Sequence, residues 1–213
     1  MISSRLANET VVMLPGPAGQ LELLVGTPHG EPKQAWGIVC HPHSLHGGSM
    51  HNKIVTTLIK TFQCLGLNTV RFNFRGVGLS EGKYDHGNGE FEDLLAVIDW
   101  MQRENPQFSI WMAGFSFGAY IAAKAATQIP ISKLVLIAPP VKNFPMLSML
   151  PFLCPWVLVQ GEKDEVVSAE DVLQWAANRE PAPLVIRFPE ASHFFHGQLV
   201  ELRQELEKAL KTI

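Results

Sequence analysis

Three observations predict an α/β architecture built on a mostly parallel eight-stranded sheet with helices on both faces. Eight short apolar runs rich in β-formers punctuate the chain. From the third onward they alternate with segments of helical periodicity, which is the pattern of parallel strands joined by crossover helices. The first two are linked by Pro15-Gly16-Pro17-Ala18-Gly19, too short for a crossover, so they form an antiparallel hairpin at one sheet edge.

The strands are predicted at 11–14, 21–26, 35–40, 69–74, 109–113, 133–138, 156–160 and 184–188. Helices are predicted at 52–65, 90–104, 117–127, 169–178 and 197–211. In the second of these, Phe91, Leu94, Leu95, Ile98 and Met101 share one face. Ser168 with Asp171 makes a capping-box pattern before the fourth. The segment 139–155 is bounded by prolines and crowded with Phe144, Met146, Leu147, Met149, Leu150, Phe152 and Leu153. It reads either as a helix apolar on most faces and buried in the core, or as the wall of an acyl pocket or a partner contact.

The chain has 213 residues, enough for one full core, and residues 1–213 are read as a single domain. With 46% apolar and 17% charged residues it is an ordinary globular composition. A net charge of -3 leaves no footprint for nucleic acid or an anionic membrane surface. The first ten residues lack the basic start and apolar core of a signal peptide, and no apolar run approaches a membrane span, so a cytoplasmic location is expected. Cys40, Cys64 and Cys154 show no metal-ligand spacing and are expected to be reduced, buried thiols.

The chemistry begins at Gly114-Phe115-Ser116-Phe117-Gly118, between an apolar run and a small-residue helical stretch. A serine at a sharp strand-to-helix turn has strained backbone angles, and glycines two before and two after let neighbouring backbone pass closely. Taken alone this pattern is weak, because glycine and serine also serve as ordinary turn punctuation. The order downstream strengthens it. Asp164 follows the run 156–160, and His193 follows the run 184–188. Ser, Asp, His is the order of enzymes whose nucleophile, acid and base lie on loops at the carboxyl ends of successive strands. In that arrangement the histidine takes the serine proton, and the carboxylate fixes its tautomer and stabilises the imidazolium. His41, His43, His46 and His51 crowd the loop after the third strand, yet neither an H-E-x-x-H helix nor an acidic second set of ligands accompanies them, and no metal is expected.

The chain resembles the small bacterial α/β-hydrolases related in fold to dienelactone hydrolases and serine esterases. Their signature reads here as His41-Pro42-His43-Ser44, Gly47-Gly48, Asn52-Lys53 and the run Arg71-Phe72-Asn73-Phe74-Arg75-Gly76-Val77-Gly78-Leu79-Ser80-Glu81-Gly82, with the likeness extending to His193. Ser44 stands where a second proline is usual, and His46 where an aromatic residue is usual. The resemblance implies an α/β-hydrolase fold with a minimal lid and serine-hydrolase machinery. One oxyanion-hole N–H would come from Phe117, after the nucleophile. The other would come from the loop after the third strand, where Pro42 cannot donate, so His43 is expected and Ser44 is the reserve.

The glycine-rich stretch from Arg75 through Gly82, Gly87 and Gly89 fits no P-loop, and Arg75 with Asn73 is expected to tie loops together. Asp85 and His86 remain candidates to face the substrate. The expected function is hydrolysis of a small-molecule ester or thioester on Ser116, with no cofactor, Met146 and Met149 lining the acyl site, and a homodimer left open. The alternatives are a peptidase or amidase using the same triad, or a catalytically silent binding protein of the same fold.

Overall fold

A computed structural model describes residue 6 and residues 8–213. Residues 1–5 and 7, part of the segment read above for a leader, lie outside the described residues. The strands are β1 (Glu9–Gly16), β2 (Gly19–Gly26), β3 (Ala35–Cys40), β4 (Asn68–Phe72), β5 (Ser109–Phe115), β6 (Lys133–Ile137), β7 (Trp156–Gly161) and β8 (Leu184–Phe188). The helices are α1 (Lys53–Cys64), α2 (Gly89–Glu104), α3 (Phe117–Ala126), α4 (Ala169–Ala177) and α5 (Leu199–Thr212). They form one sheet in the order β1-β2-β4-β3-β5-β6-β7-β8. β1 pairs with β2, and β2 with β4, in antiparallel fashion, while every other pairing is parallel. The expected edge hairpin is there, its register closing at Gly16 opposite Gly19.

The two faces of the sheet bury two separate clusters, and the strands feed them alternately, as the period of two requires. Ile110, Met112, Leu134 and Leu136 join the side covered by α2, α3 and α4. Trp111, Ala113, Val135 and Ile137 join the side covered by α1 and α5. Helix α3 is buried along nearly its whole length. Its alanines let it lie close on the central strands. The chain leaves β3 toward β4 and returns through α2 to β5, so the loops after the neighbouring strands β3 and β5 diverge at a topological switch point. Ligand crevices in open α/β sheets form at such points, beyond the carboxyl ends of the strands.

Several boundaries move for local reasons. Asn52 caps α1 instead of joining it, its Oδ1 accepting from the Ile54 N–H at 2.8 Å. Ser168 caps α4 as expected, its hydroxyl accepting from the Asp171 N–H at 3.3 Å, and the helix starts at Ala169. Gly197 has φ +78, which keeps α5 from starting before Leu199.

Two expectations fail. Cys64, the last residue of α1, is exposed, whereas Cys40 and Cys154 are buried. Segment 139–155 is not a helix: it runs as turns and irregular chain. Pro139, Pro140, Pro145, Pro151 and Pro155 remove N–H donors too often for a helical ladder to form. The apolar side chains divide instead. Met146 and Phe152 are fully buried, while Leu147, Leu150 and Leu153 point outward. The loop is held down by Arg179, which donates to the carbonyls of Met149 at 2.8 Å and Leu150 at 2.6 Å and lies over Phe152.

Candidate active site

Ser116 sits between β5 and α3 with φ 53 and ψ -120, a conformation that costs a non-glycine residue roughly 1–3 kcal/mol. The flanking glycines show why the strain persists. A Cβ on Gly114 would fall 2.1 Å from the carbonyl oxygen of Gly118, and one on Gly118 would fall 2.2 Å from that of Cys40. Backbone fills both places. The elbow is also tied to the sheet by the Ser116 N–H, which donates to Ile137 at 2.9 Å. Among the described residues the Ser116 hydroxyl has no hydrogen-bond partner.

Asp164 lies in the loop after β7 and His193 in the loop after β8, and the two meet. His193 Nδ1 is 2.8 Å from Asp164 Oδ2, with both side chains almost fully buried. An ionised carboxylate can only accept, so Nδ1 carries the proton, and Nε2 of the neutral ring keeps its lone pair. Burial pushes the Asp164 carboxyl up, but hydrogen bonds from His193 and from the N–H groups of Val167 and Val166 outweigh it and hold the group below the usual carboxylate range. Asp164 Oδ1 accepts from those two N–H groups at 2.7 and 2.8 Å. The other nearby acids are engaged elsewhere. Glu162 pairs with Arg187 at 2.8 Å, and Glu165 accepts the backbone N–H of His193 at 3.1 Å.

Ser116 and His193 line one cavity of about 290 Å³. His43, His46, Asn52, Val166 and Phe194 complete much of its wall. Among the described residues, the backbone N–H groups of Phe117 and His43 donate to no protein acceptor, which leaves both available beside the serine. Burial lowers the His43 pKa first, with the neighbouring His46 and His86 adding to the effect, so the ring is held toward its neutral form. It stacks on His46 at 4.5 Å and packs against Phe117 at 5.1 Å. The Ser44 hydroxyl is buried without a partner among the described residues.

The histidines of this loop do not converge on one point. His41 is fully buried and uses both ring nitrogens, Nδ1 with the Pro42 carbonyl at 2.6 Å and Nε2 with the Phe74 N–H at 3.0 Å. Accepting from an N–H at Nε2 places the proton on Nδ1. His41 therefore fastens the loop after β3 to the end of β4. No group of three or more His, Cys, Asp or Glu able to hold a metal ion occurs among the described residues.

The expected knot below the loop is present. Arg75 grips Asp93 through Nε and Nη2, the latter at 2.8 Å, and Asn73 accepts from the Met50 N–H at 2.9 Å while donating to Glu22 at 2.8 Å. Asp85 accepts from the Gly89 N–H at 3.0 Å and His86 packs on Tyr84, so neither lines the cavity. Met146 and Met149 do not line it either. Met146 is enclosed by core residues, and its carbonyl accepts from the Trp175 indole at 3.2 Å. Neither methionine therefore takes the acyl-wall position expected of it. Gln160 was not anticipated: fully buried at the end of β7, it donates to Asp164 Oδ2 at 3.3 Å. A polar side chain inside an otherwise apolar strand run was the available signal.

A family model described as serine aminopeptidase, S33, matches residues 41–154, from His41 through the elbow to the end of the irregular segment. The chain belongs to this family of α/β-hydrolases. The α/β-hydrolase is 48% identical to a solved α/β serine hydrolase homologue from Coxiella burnetii, with 97% of this chain and all of that one covered and a TM-score of 0.92. A lidless α/β serine hydrolase from Xanthomonas campestris is 40% identical, covering 97% of this chain and 95% of that one, also at a TM-score of 0.92. Among curated proteins, an uncharacterized protein of Rickettsia prowazekii is 36% identical over 93% of this chain and 87% of its own length.

Proposed function

We propose that this α/β-hydrolase cleaves carboxylic esters or thioesters through an acyl-enzyme on Ser116. The observation that carries the reading is the Asp164–His193 couple, whose histidine opens onto the same cavity as a serine held at a strained elbow. In the first step the Ser116 oxygen bonds to the acyl carbon as its proton passes to His193 Nε2, and the Phe117 and His43 N–H groups hold the oxyanion. Each such donor is worth roughly 3–4 kcal/mol in comparable sites. The bond to the leaving oxygen or sulfur then breaks, and the leaving group takes the proton from Nε2. Water repeats the sequence on the acyl-enzyme, releasing a carboxylic acid and restoring the serine. The Ser116 hydroxyl has no competing protein partner, so it is free to turn toward Nε2 when substrate closes the site. Ser116, His193, Asp164, two backbone N–H groups and water carry every step.

The family description favours a second reading, an aminopeptidase acting with the same triad. Holding a free α-ammonium calls for a carboxylate at the cavity wall, because a buried cation needs a paired charge. Among the described residues no Asp or Glu lines this cavity, and its exposed rim residues Val166 and Phe194 are apolar. Those features support an acyl ester or thioester over a peptide amine. We further place the enzyme in the cytoplasm, where its three free cysteines stay reduced.

Labelling by a fluorophosphonate, followed by matched acetyl and butyryl esters, thioesters and aminoacyl amides, tests both readings. Ser116 should be labelled and the esters and thioesters turned over. Absence of labelling would overturn the hydrolase reading, and preference for the aminoacyl amide would install the peptidase.

A further inference from the structure

Lys53 stands in the motif that opens α1, and the hydrolytic chemistry gives it no part. It occupies the first helical position, and the first turn of α1 holds no acidic residue. A cation there opposes the helix dipole and is unfavourable unless an anion meets it. Lys60 follows seven residues later on the same face of α1. Across from both, Arg203 projects from α5, and the three cations line a groove of about 360 Å³. Among the described residues no Asp or Glu lines it, in a chain whose net charge is -3. Among the described residues Lys53 and Lys60 have no ion pair, and Arg203 reaches only Glu207, Nε to Oε1 at 3.3 Å. Leu199 and Val200 supply an apolar side, Val200 being well exposed.

The position of the groove gives this charge a meaning. Asn52 lines the catalytic cavity, while His51 and Lys53 on either side of it line the groove. Phe194 at the cavity rim and Leu199 at the groove wall lie on one short connection. The turn at 51–53 therefore borders both the cavity that holds Ser116 and the groove that holds the three cations. We infer that the groove seats a phosphate group on the leaving side of the substrate, so that the enzyme's acyl donors are esters or thioesters of a phosphorylated alcohol or thiol. This rests on the hydrolase reading above. The apolar wall suits the linker between the carbonyl and the phosphate, and the cations suit its end.

The test compares butyryl thioesters of pantetheine and of 4′-phosphopantetheine, which share acyl group and thiol and differ only in the phosphate. A shorter pair, the butyryl esters of ethylene glycol and of phosphoethanol in the same arrangement, covers a short reach. In at least one pair the phosphorylated substrate should have a kcat/KM about 10–100-fold higher, the size of one or two hydrogen bonds to charged groups. The combined variant Lys53→Gln, Lys60→Gln, Arg203→Gln should bring that ratio to near one, and added inorganic phosphate should raise KM for the phosphorylated substrate alone. Parity of both pairs in the unmodified enzyme overturns the inference. So does a preference that survives the triple variant, or phosphate altering turnover of the neutral substrate, which would make the groove an effector site. Fluorophosphonate labelling of Ser116 in the same preparations reports separately on the hydrolase reading.

Discussion

The elbow at 114–118 and the segment at 139–155 both follow central strands at the same edge of the sheet, yet they are determined in opposite ways. At the elbow, backbone atoms stand where a Cβ would be, on Gly114 and again on Gly118, so the identities of two residues are imposed by contact. In 139–155 the composition is mostly apolar, but prolines break the repeat and each side chain finds burial or exposure singly. Steric necessity can be inferred from five residues. Apolar content alone says that something is buried, without saying against what.

The sharpest way to break this comparison is at the serine itself. Ser116→Ala should lower kcat by about 10⁶, as removal of the nucleophile does in a serine protease, while circular dichroism and melting temperature stay near those of the unmodified protein. Retained turnover would show that the elbow is built for shape and not for chemistry. Asp164→Asn should cost about 10⁴ in kcat, because the amide can leave His193 in the wrong tautomer. Near-normal kinetics in that variant would detach the couple from the reaction.

Smaller effects separate the two regions by stability. Gly118→Ala puts a methyl group against the Cys40 carbonyl and should destabilise by roughly 3–5 kcal/mol in urea unfolding, at the top of the usual range. Met146→Ala should cost about 2–5 kcal/mol as a cavity mutant and should reduce activity on acetyl and hexanoyl esters alike. A selective loss on the longer chain would return Met146 to the acyl site. Leu153→Ser, at 94% exposure, should stay within about 0.5 kcal/mol of the unmodified protein.

Acid should act through His41. Burial, its main influence, drops this imidazole from 6.5 to about 4 in the folded protein. Between those values the unfolded chain holds the proton and the folded one does not, so stability is full above pH 6.5 and declines as pH falls toward 4. The decline is worth about 3 kcal/mol from this group. His41→Gln, which can still accept from the Phe74 N–H, should flatten the slope in melting temperature measured from pH 7.5 to 4.5. An unaltered slope would assign the acid sensitivity to other groups.

Much of this was legible beforehand because the signals were local. Short apolar runs rich in β-formers placed the eight strands, and the short proline-glycine linker placed the hairpin. Ser116, Asp164 and His193 were expected together from chain order and the ends of three apolar runs, and the structure pairs Asp164 with His193 and sets His193 and Ser116 on one cavity. What escaped depended on tertiary contacts. That His41 would fasten two loops while His43 faced the cavity follows from the ring of His41 meeting the Phe74 N–H, and two neighbouring histidines carry no mark of that division. Cys64 could be assigned to a helix but not to a face. Lys53 was visible as part of a motif, but its significance required the neighbouring helix that brings Arg203 opposite.

Among the described residues the β1–β2 hairpin contributes nothing to the cavity wall, yet it is bound to the loop that forms one side of it. Glu9 on β1 receives the Arg71 guanidinium at 2.6 and 2.8 Å, with both side chains fully enclosed, and the same guanidinium donates to the Met50 carbonyl at 2.8 Å. Met50 belongs to the stretch that carries His43. Residues at the amino-terminal margin thus act as an anchor for one lip of the cavity that holds Ser116, through a fully buried cation. A chain shortened past Glu9 would take this carboxylate away from a fully buried cation, a loss of about 3–5 kcal/mol against a total of about 5–15 for a domain. The sheet edge most distant from the serine is for this reason among the least dispensable parts of the molecule.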